Sequence, residues 1–200
     1  AMTGDRTGNV ALVTGASAGV GRACAIAFLK AATGRMQTVS GHPYGAQIVV
    51  DYAHTPDALA AALAALRPEV TGRLVVLFGC GGDRDPGKRP MMGEIANAGA
   101  DMIFVTDDNP RSEDASTIRS AIIATCPNAV EIAGRDRAIA TAIGELANGD
   151  VLLIAGKGHE TVQLIGYETL PFSDANVAHN AISTLIDAQA IQAAEVGDGQ

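Results

Sequence analysis

Two hundred residues and 20.3 kDa are enough chain for one domain with its own buried core. Hydrophobic residues at 48% with charged residues at 18% exclude a disordered chain, and no apolar run approaches a membrane span, which needs about 18 residues. A formal charge of -8 from 14 basic and 22 acidic side chains repels phosphate backbones and anionic lipid, so neither nucleic acid nor membrane is expected as a partner.

In chain order, Val10–Thr14 reads as a buried strand and Arg22–Ala32 as a helix. The pair strand Gln47–Tyr52 and helix Pro56–Leu66 follows, with Thr55 placed to cap and proline tolerated at the first helical position. Next come strand Arg73–Phe78, helix Arg89–Ala98, strand Met102–Thr106, helix Asp114–Thr125, a weaker strand at Ala129–Ile132, helix Asp136–Leu146 and strand Val151–Ala155. Val162–Phe172 reads as a hairpin with Gly166 at its turn, and Val177–Ile186 as a last helix capped by Ser173 or Asp174. The segment after Gln189 lacks apolar density and is expected to fray. The strands are too continuously apolar to be buried on one face only. The expectation is an α/β fold: a doubly wound, mostly parallel Rossmann-like sheet with helices on both faces, forming a single domain with an added N-terminal βα unit. Cys24, Cys80 and Cys126 are odd in number and widely spaced, which suits reduced thiols, and the N-terminus shows no signal-peptide pattern; a cytoplasmic chain is expected.

In open α/β sheets ligands bind outside the C-terminal strand ends, and that is where this chain places its charge. Asp51, Tyr52 and His54 follow one strand; Asp83, Arg84, Asp85 and Lys88 another; Asp107, Asp108, Asn109 and Arg111 a third; Lys157, His159 and Glu160 a fourth. A rim of both signs suits a small, multiply charged ligand.

Two segments imitate phosphate loops. Gly82-Asp-Arg-Asp-Pro-Gly-Lys88 has P-loop spacing, but Arg89 stands where a magnesium-binding hydroxyl belongs, and two acids inside the loop repel phosphate. Thr14-Gly15-Ala16-Ser17-Ala18-Gly19-Val20-Gly21 follows a strand and opens a helix, as a dinucleotide loop does. Residues 8–33 resemble the first strand and helix of short-chain dehydrogenases/reductases, with Gly15, Gly19 and Gly21 as the loop glycines. That family's Tyr-x-x-x-Lys pair is missing, because Tyr44, Tyr52 and Tyr167 are followed four positions on by Ile48, Pro56 and Pro171. The loop is therefore read as vestigial. Asn97-Ala98-Gly99 echoes a further motif of that family and is read instead as a helix cap.

From Gly34 onward, Gly34-Arg35-Met36, VVDYAHTPDAL at 49–59, LFGCGGDRDPGKRPMMG at 77–93, TDDNPRSED at 106–114, AGKGHE at 155–160 and PFSD at 171–174 resemble the C-terminal domain of Mur ligases, most of all the diaminopimelate-adding members. The resemblance implies a division into a dehydrogenase-like segment 1–33, a ligase C-terminal domain 34–188 and a frayed tail 189–200. It also implies residue roles. Arg35 and Asp51 would reach the nucleotide, the acid taking ribose hydroxyls, with His54 near the terminal phosphates. Asp108, Asn109 and Arg111 match the family's DNPR motif, whose arginine grips the distal carboxylate of diaminopimelate as a guanidinium fork does. Arg84, Gly156 and Glu160 would hold the amino-acid end, the acid taking an ammonium. The plainer alternatives are a surface charge at the start of a helix for Arg111 and a satisfied structural role for His159.

The same resemblance implies ATP and magnesium in the full-length enzymes, on upstream domains whose motifs do not occur in these residues. The expected function is then a small-molecule amino-acid-binding domain of a peptidoglycan-precursor ligase, inactive alone and with no cofactor bound tightly. Two other readings stay open: a recombined, chimeric α/β scaffold without activity, and an NAD(P)-binding oxidoreductase fragment.

Overall fold

Each apolar run divides by period two between two cores. In β3 (Leu74–Phe78) Leu74, Val76 and Phe78 enter one core, while Val75 and Leu77 enter the other. β6 (Val151–Ala155) divides the same way, with Val151, Leu153 and Ala155 against Leu152 and Ile154. Burial on both faces is what makes such strands read as unbroken apolar runs. The computed structural model describes residues 35–197, with side chains described to residue 191. Strand Val10–Thr14, helix Arg22–Ala32, the loop glycines Gly15, Gly19 and Gly21, and Cys24 lie outside the described residues.

β1 (Gln37–Val39), β2 (Gln47–Asp51), β3, β4 (Met102–Val105), β5 (Val130–Glu131) and β6 form one sheet in the order β1-β2-β6-β3-β4-β5. Every pairing in it is parallel except the edge pair of β1 and β2. α1 (Pro56–Leu66), α2 (Lys88–Gly99) and α3 (Ala115–Ile123) cover one face through Leu59, Leu63, Met92, Ala96, Ile118 and Ile122. α4 (Arg135–Gly144) and α5 (Asp174–Gly197) cover the other through Ile139, Ile143, Ala178 and Ile182. β7 (Val162–Ile165) and β8 (Glu168–Pro171) make a separate antiparallel hairpin, with Gly166 at its turn at φ 59. The doubly wound α/β expectation holds. No described helix is long and apolar enough to cross a membrane.

Local chemistry sets the boundaries. Thr55 Oγ1 accepts from Ala58 N at 3.4 Å with Pro56 opening α1, and Asp114 accepts from Thr117 N at 2.9 Å to open α3. β1 was not expected from the sequence, because three residues, two of them exposed, carry no periodic signal. It is secured by its neighbour: the Asp51 carboxylate accepts from Met36 N at 2.8 Å. The last helix begins at Asp174 and runs to Gly197, well beyond the expected Val177–Ile186 and into the segment expected to fray. Nor is Asn97-Ala98-Gly99 a left-handed cap. Gly99 is still helical, and a Cβ there would stand 2.9 Å from Leu63 Cδ1, so the glycine allows α1 close to α2.

Candidate functional site

β3 and β6 are neighbours, yet the chain leaves β3 for α2 on one face and passes beyond β6 to α5 on the other. That is a topological switch point, and a cleft of about 580 Å³ opens there. Its walls come from the loops after β2, β3, β4 and β6. They bring together His54, Arg84, Asp108, Asn109, Arg111, Gly156 and Glu160, the whole expected amino-acid set with one member of the expected nucleotide set. A wider hollow of about 840 Å³ between the hairpin and α4 and α5 contains none of them.

The loops after β3 and β4 lock together backbone to backbone. Gly82 N donates to Asn109 O at 2.9 Å, and a Cβ on Gly82 would lie 1.9 Å from Pro110 O, which only a glycine permits. Arg111 sits at φ 53, and its Nη1 donates to Gly82 O at 2.8 Å. Its Nε and Nη2 make no hydrogen bond among the described residues. Arg84 is exposed, and its Nη1 donates to Asp83 O at 3.0 Å. Asp83 in turn accepts from Ser112 Oγ at 2.7 Å, and the Ser112 hydrogen bonds hold its carboxyl below the ordinary aspartate range.

Glu160 supplies the negative charge. Its Oε2 accepts from Lys157 Nζ at 2.9 Å and from Asn109 Nδ2 at 3.0 Å, while its Oε1 is unengaged among the described residues. Burial raises its affinity for a proton, but the Lys157 and Asn109 hydrogen bonds and the Lys157 and Arg111 charges outweigh it and hold the carboxyl below the ordinary range. Asp108 has Oδ1 engaged by Asn109 N at 2.6 Å. The cleft can therefore offer guanidinium N–H groups and carboxylate oxygens at once. Thiolate chemistry is excluded at neutral pH for Cys80, which burial pushes up to about 11. Among the described residues no group of three or more His, Cys, Asp or Glu is arranged to hold a metal ion.

Other expected residues lie elsewhere or do other work. Asp51 is 4% exposed, with Oδ1 accepting from Ala53 N and Oδ2 from Met36 N, both at 2.8 Å, and it does not line the cleft. Arg35 is exposed and likewise outside it. Asn109 is buried, and its amide bonds Glu160, Lys157 and Leu164 N, so it braces the wall from within. His159 is not a satisfied internal histidine: it is exposed, with its ring 5.4 Å from that of Tyr52. Sequence reasoning passed over Lys157 as one more rim charge. It is fully buried, and a lysine entering from an apolar strand with a glutamate three residues on was the available signal.

A doubly wound, mostly parallel sheet with a cleft of both charges at its switch point defines an α/β domain of the Rossmann-like class. The chain belongs to the Mur ligase family: residues 34–158 match the domain described as Mur ligase, glutamate ligase domain. It is 60% identical over 146 residues to the UDP-N-acetylmuramoyl-L-alanyl-D-glutamate--2,6-diaminopimelate ligase of Mesorhizobium japonicum, covering 73% of this chain and 30% of that protein. With the enzyme of the same name from Chelativorans it shares 50% identity over 187 residues, covering 90% of this chain and 39% of the relative. A solved structure of a ligase of this name superposes with a TM-score of 0.72 at 40% identity, over 77% of this chain and 32% of the other. The chain thus spans about a third of the length of the proteins it matches.

Proposed function

We propose that this chain carries the amino-acid pocket of an ATP-dependent ligase of peptidoglycan-precursor synthesis, and that its ligand is meso-diaminopimelate. One observation carries the reading: Arg111 and Arg84, each with N–H groups unengaged among the described residues, and Glu160, with a carboxylate oxygen likewise unengaged among them, line one cleft. A molecule with a carboxylate and an ammonium at each end pairs with both kinds of group. The names of the 50–60% identical relatives support it. Arg111 is assigned the distal carboxylate, and Glu160 an ammonium. The nucleotide roles of Arg35, Asp51 and His54 stay part of the proposal; His54 lines this cleft, while each Asp51 carboxylate oxygen accepts one backbone N–H. ATP and magnesium supply carboxylate activation in such ligases. Because Arg89 follows Gly82–Lys88 where a magnesium-binding hydroxyl belongs, the chain alone is expected to release no phosphate from ATP in response to the amino acid.

The test compares meso-diaminopimelate with lysine by calorimetry and amide-shift mapping. Lysine lacks the distal carboxylate and would leave a guanidinium desolvated without its anion. Meso-diaminopimelate is expected to bind more tightly and to shift the amides of residues 108–111 and 160. Arg111→Ala is expected to lose about 1.5–3 kcal/mol of that binding, the worth of a hydrogen bond between charged groups. Equal responses to the two amino acids would reject the assignment.

A further inference from the structure

Lys157 has 0% exposure, a position that penalises an ammonium unless its N–H groups are engaged and a counter-charge is close. Nζ donates in three directions: to Asn109 Oδ1 at 3.0 Å, Glu160 Oε2 at 2.9 Å and Val162 O at 2.7 Å. One ammonium thus ties the loop after β4, the loop after β6 and the first strand of the hairpin. Asn109 completes the frame, its Nδ2 donating to the same Glu160 oxygen at 3.0 Å and its Oδ1 also accepting from Leu164 N at 3.0 Å. The hairpin then grips the loop that carries Arg111. Arg111 N donates to Leu164 O at 3.1 Å, Gly166 N donates to Arg111 O at 2.7 Å, and Gln163 Nε2 donates to Asp108 O at 2.6 Å. These bonds clamp Arg111 on both sides of a left-handed backbone at φ 53, where a residue other than glycine is held only by its surroundings.

We propose that Lys157 and the β7–β8 hairpin form a strut that presents one oxygen of Glu160 and the guanidinium of Arg111 to the cleft at a fixed separation. Lys157 is then a positioning residue: it does not meet the ligand, but it occupies Glu160 Oε2 so that Oε1 alone is offered. A single acceptor oxygen and a clamped guanidinium act as a ruler for ligands with an ammonium and a carboxylate. The ligand half of this statement rests on the amino-acid reading above; the strut does not.

The charges acting on Glu160 are Lys157 on its own turn, Arg111 from the loop after β4 and Arg135 of α4, and the same cleft is lined by Asp108 from the loop after β4 and Arg84 from the loop after β3. The experiment is a carboxyl-carbon NMR titration of Glu160 in the whole chain without ligand, for the wild type and Lys157→Met, which keeps the apolar stem. The wild-type midpoint is expected below the ordinary glutamate value of about 4.3. In Lys157→Met it should rise by at least one pH unit, and the amides of Arg111 and Gly166 should shift while those of β3 and β6 stay in place. An unmoved midpoint in a folded variant overturns the strut. So does a wild-type midpoint at the ordinary value, which needs no variant to fold. Adding meso-diaminopimelate separates the two ideas. A weakening of tenfold or more in Lys157→Met upholds both, whereas a midpoint that moves in Lys157→Met while the wild-type chain is indifferent to the amino acid upholds the strut and rejects the ligand.

Discussion

At position 156 the chain turns out of β6 with φ 117, a conformation L side chains rarely adopt, and a Cβ there would stand 2.9 Å from Asp108 Oδ2. Gly156→Ala therefore meets two penalties at once, backbone strain and displacement of a cleft carboxylate. The expected cost is about 1–3 kcal/mol. Urea denaturation would measure it, and the amide of Asn109, which donates to Asp108 Oδ1 at 2.6 Å, should shift in the same variant. A stability within error of the wild type would show that the loop relaxes freely. The sequence carried the identity of these residues but not their division of labour. DNPR at 108–111 was expected to supply ligand contacts; Asn109 lines the cleft and its amide also ties Lys157, Glu160 and Leu164, and Arg111 is held by a hairpin more than fifty residues further on in the chain. A motif records which residues meet at a site. It does not record which side chain another has already engaged.

Among the elements, α2 carries two glycines whose reasons differ. A Cβ on Gly93 would lie 2.2 Å from Thr125 Oγ1 and 2.5 Å from Ile122 O, a backbone atom at the end of α3. On Gly99 the nearest atom is the free end of Leu63, at 2.9 Å. Alanine favours a helix interior over glycine by up to about 1 kcal/mol, so propensity alone predicts that both substitutions stabilise. Packing reverses one of them. Gly93→Ala should cost about 1–3 kcal/mol, because backbone cannot step aside. Gly99→Ala should stay within about 0.5 kcal/mol of the wild type, since Leu63 can change rotamer. Chemical denaturation of the two variants decides; equal effects would show that propensity governs. The central strands and five helices were legible because double-sided burial and helical spacing leave strong periodic signals. β1 and the true length of α5 were not. The first is secured by a hydrogen bond that the Asp51 carboxylate accepts from Met36 N, and the second shows low apolar density after Gln189.

Over the whole molecule the two ends of the sheet do different work. The cleft occupies the C-terminal strand ends, and the N-terminal ends are fastened by two aspartates. Asp101 accepts from Leu74 N at 2.7 Å and from Arg67 Nη1 at 2.6 Å. Asp150 accepts from Arg73 N at 2.7 Å, Ala147 N at 2.9 Å and Arg73 Nη2 at 2.7 Å. The Arg67 hydrogen bond holds the Asp101 carboxyl below its ordinary range; at Asp150 burial pushes upward, but the Arg73 and Ala147 hydrogen bonds prevail and lower it. Because both folded values lie below the unfolded one of about 3.9, their contribution is complete above that pH and disappears as pH falls through the folded values. Stability should therefore be level from about pH 8 to 5 and decline below about pH 4. Asp150→Asn removes the charge but keeps the shape. Its side chain is only 3% exposed, so the variant turns an N–H donor toward Arg73 and Ala147 N with little water to compensate. A loss of about 2 kcal/mol is expected at pH 7, on the order of one charge-assisted hydrogen bond. The decline in acid should also be shallower than in the wild type, because one of the groups that must be protonated is gone. Urea midpoints at pH 7, 5, 4 and 3 for both proteins test this, and parallel curves would show that acid acts on the fold through other carboxylates.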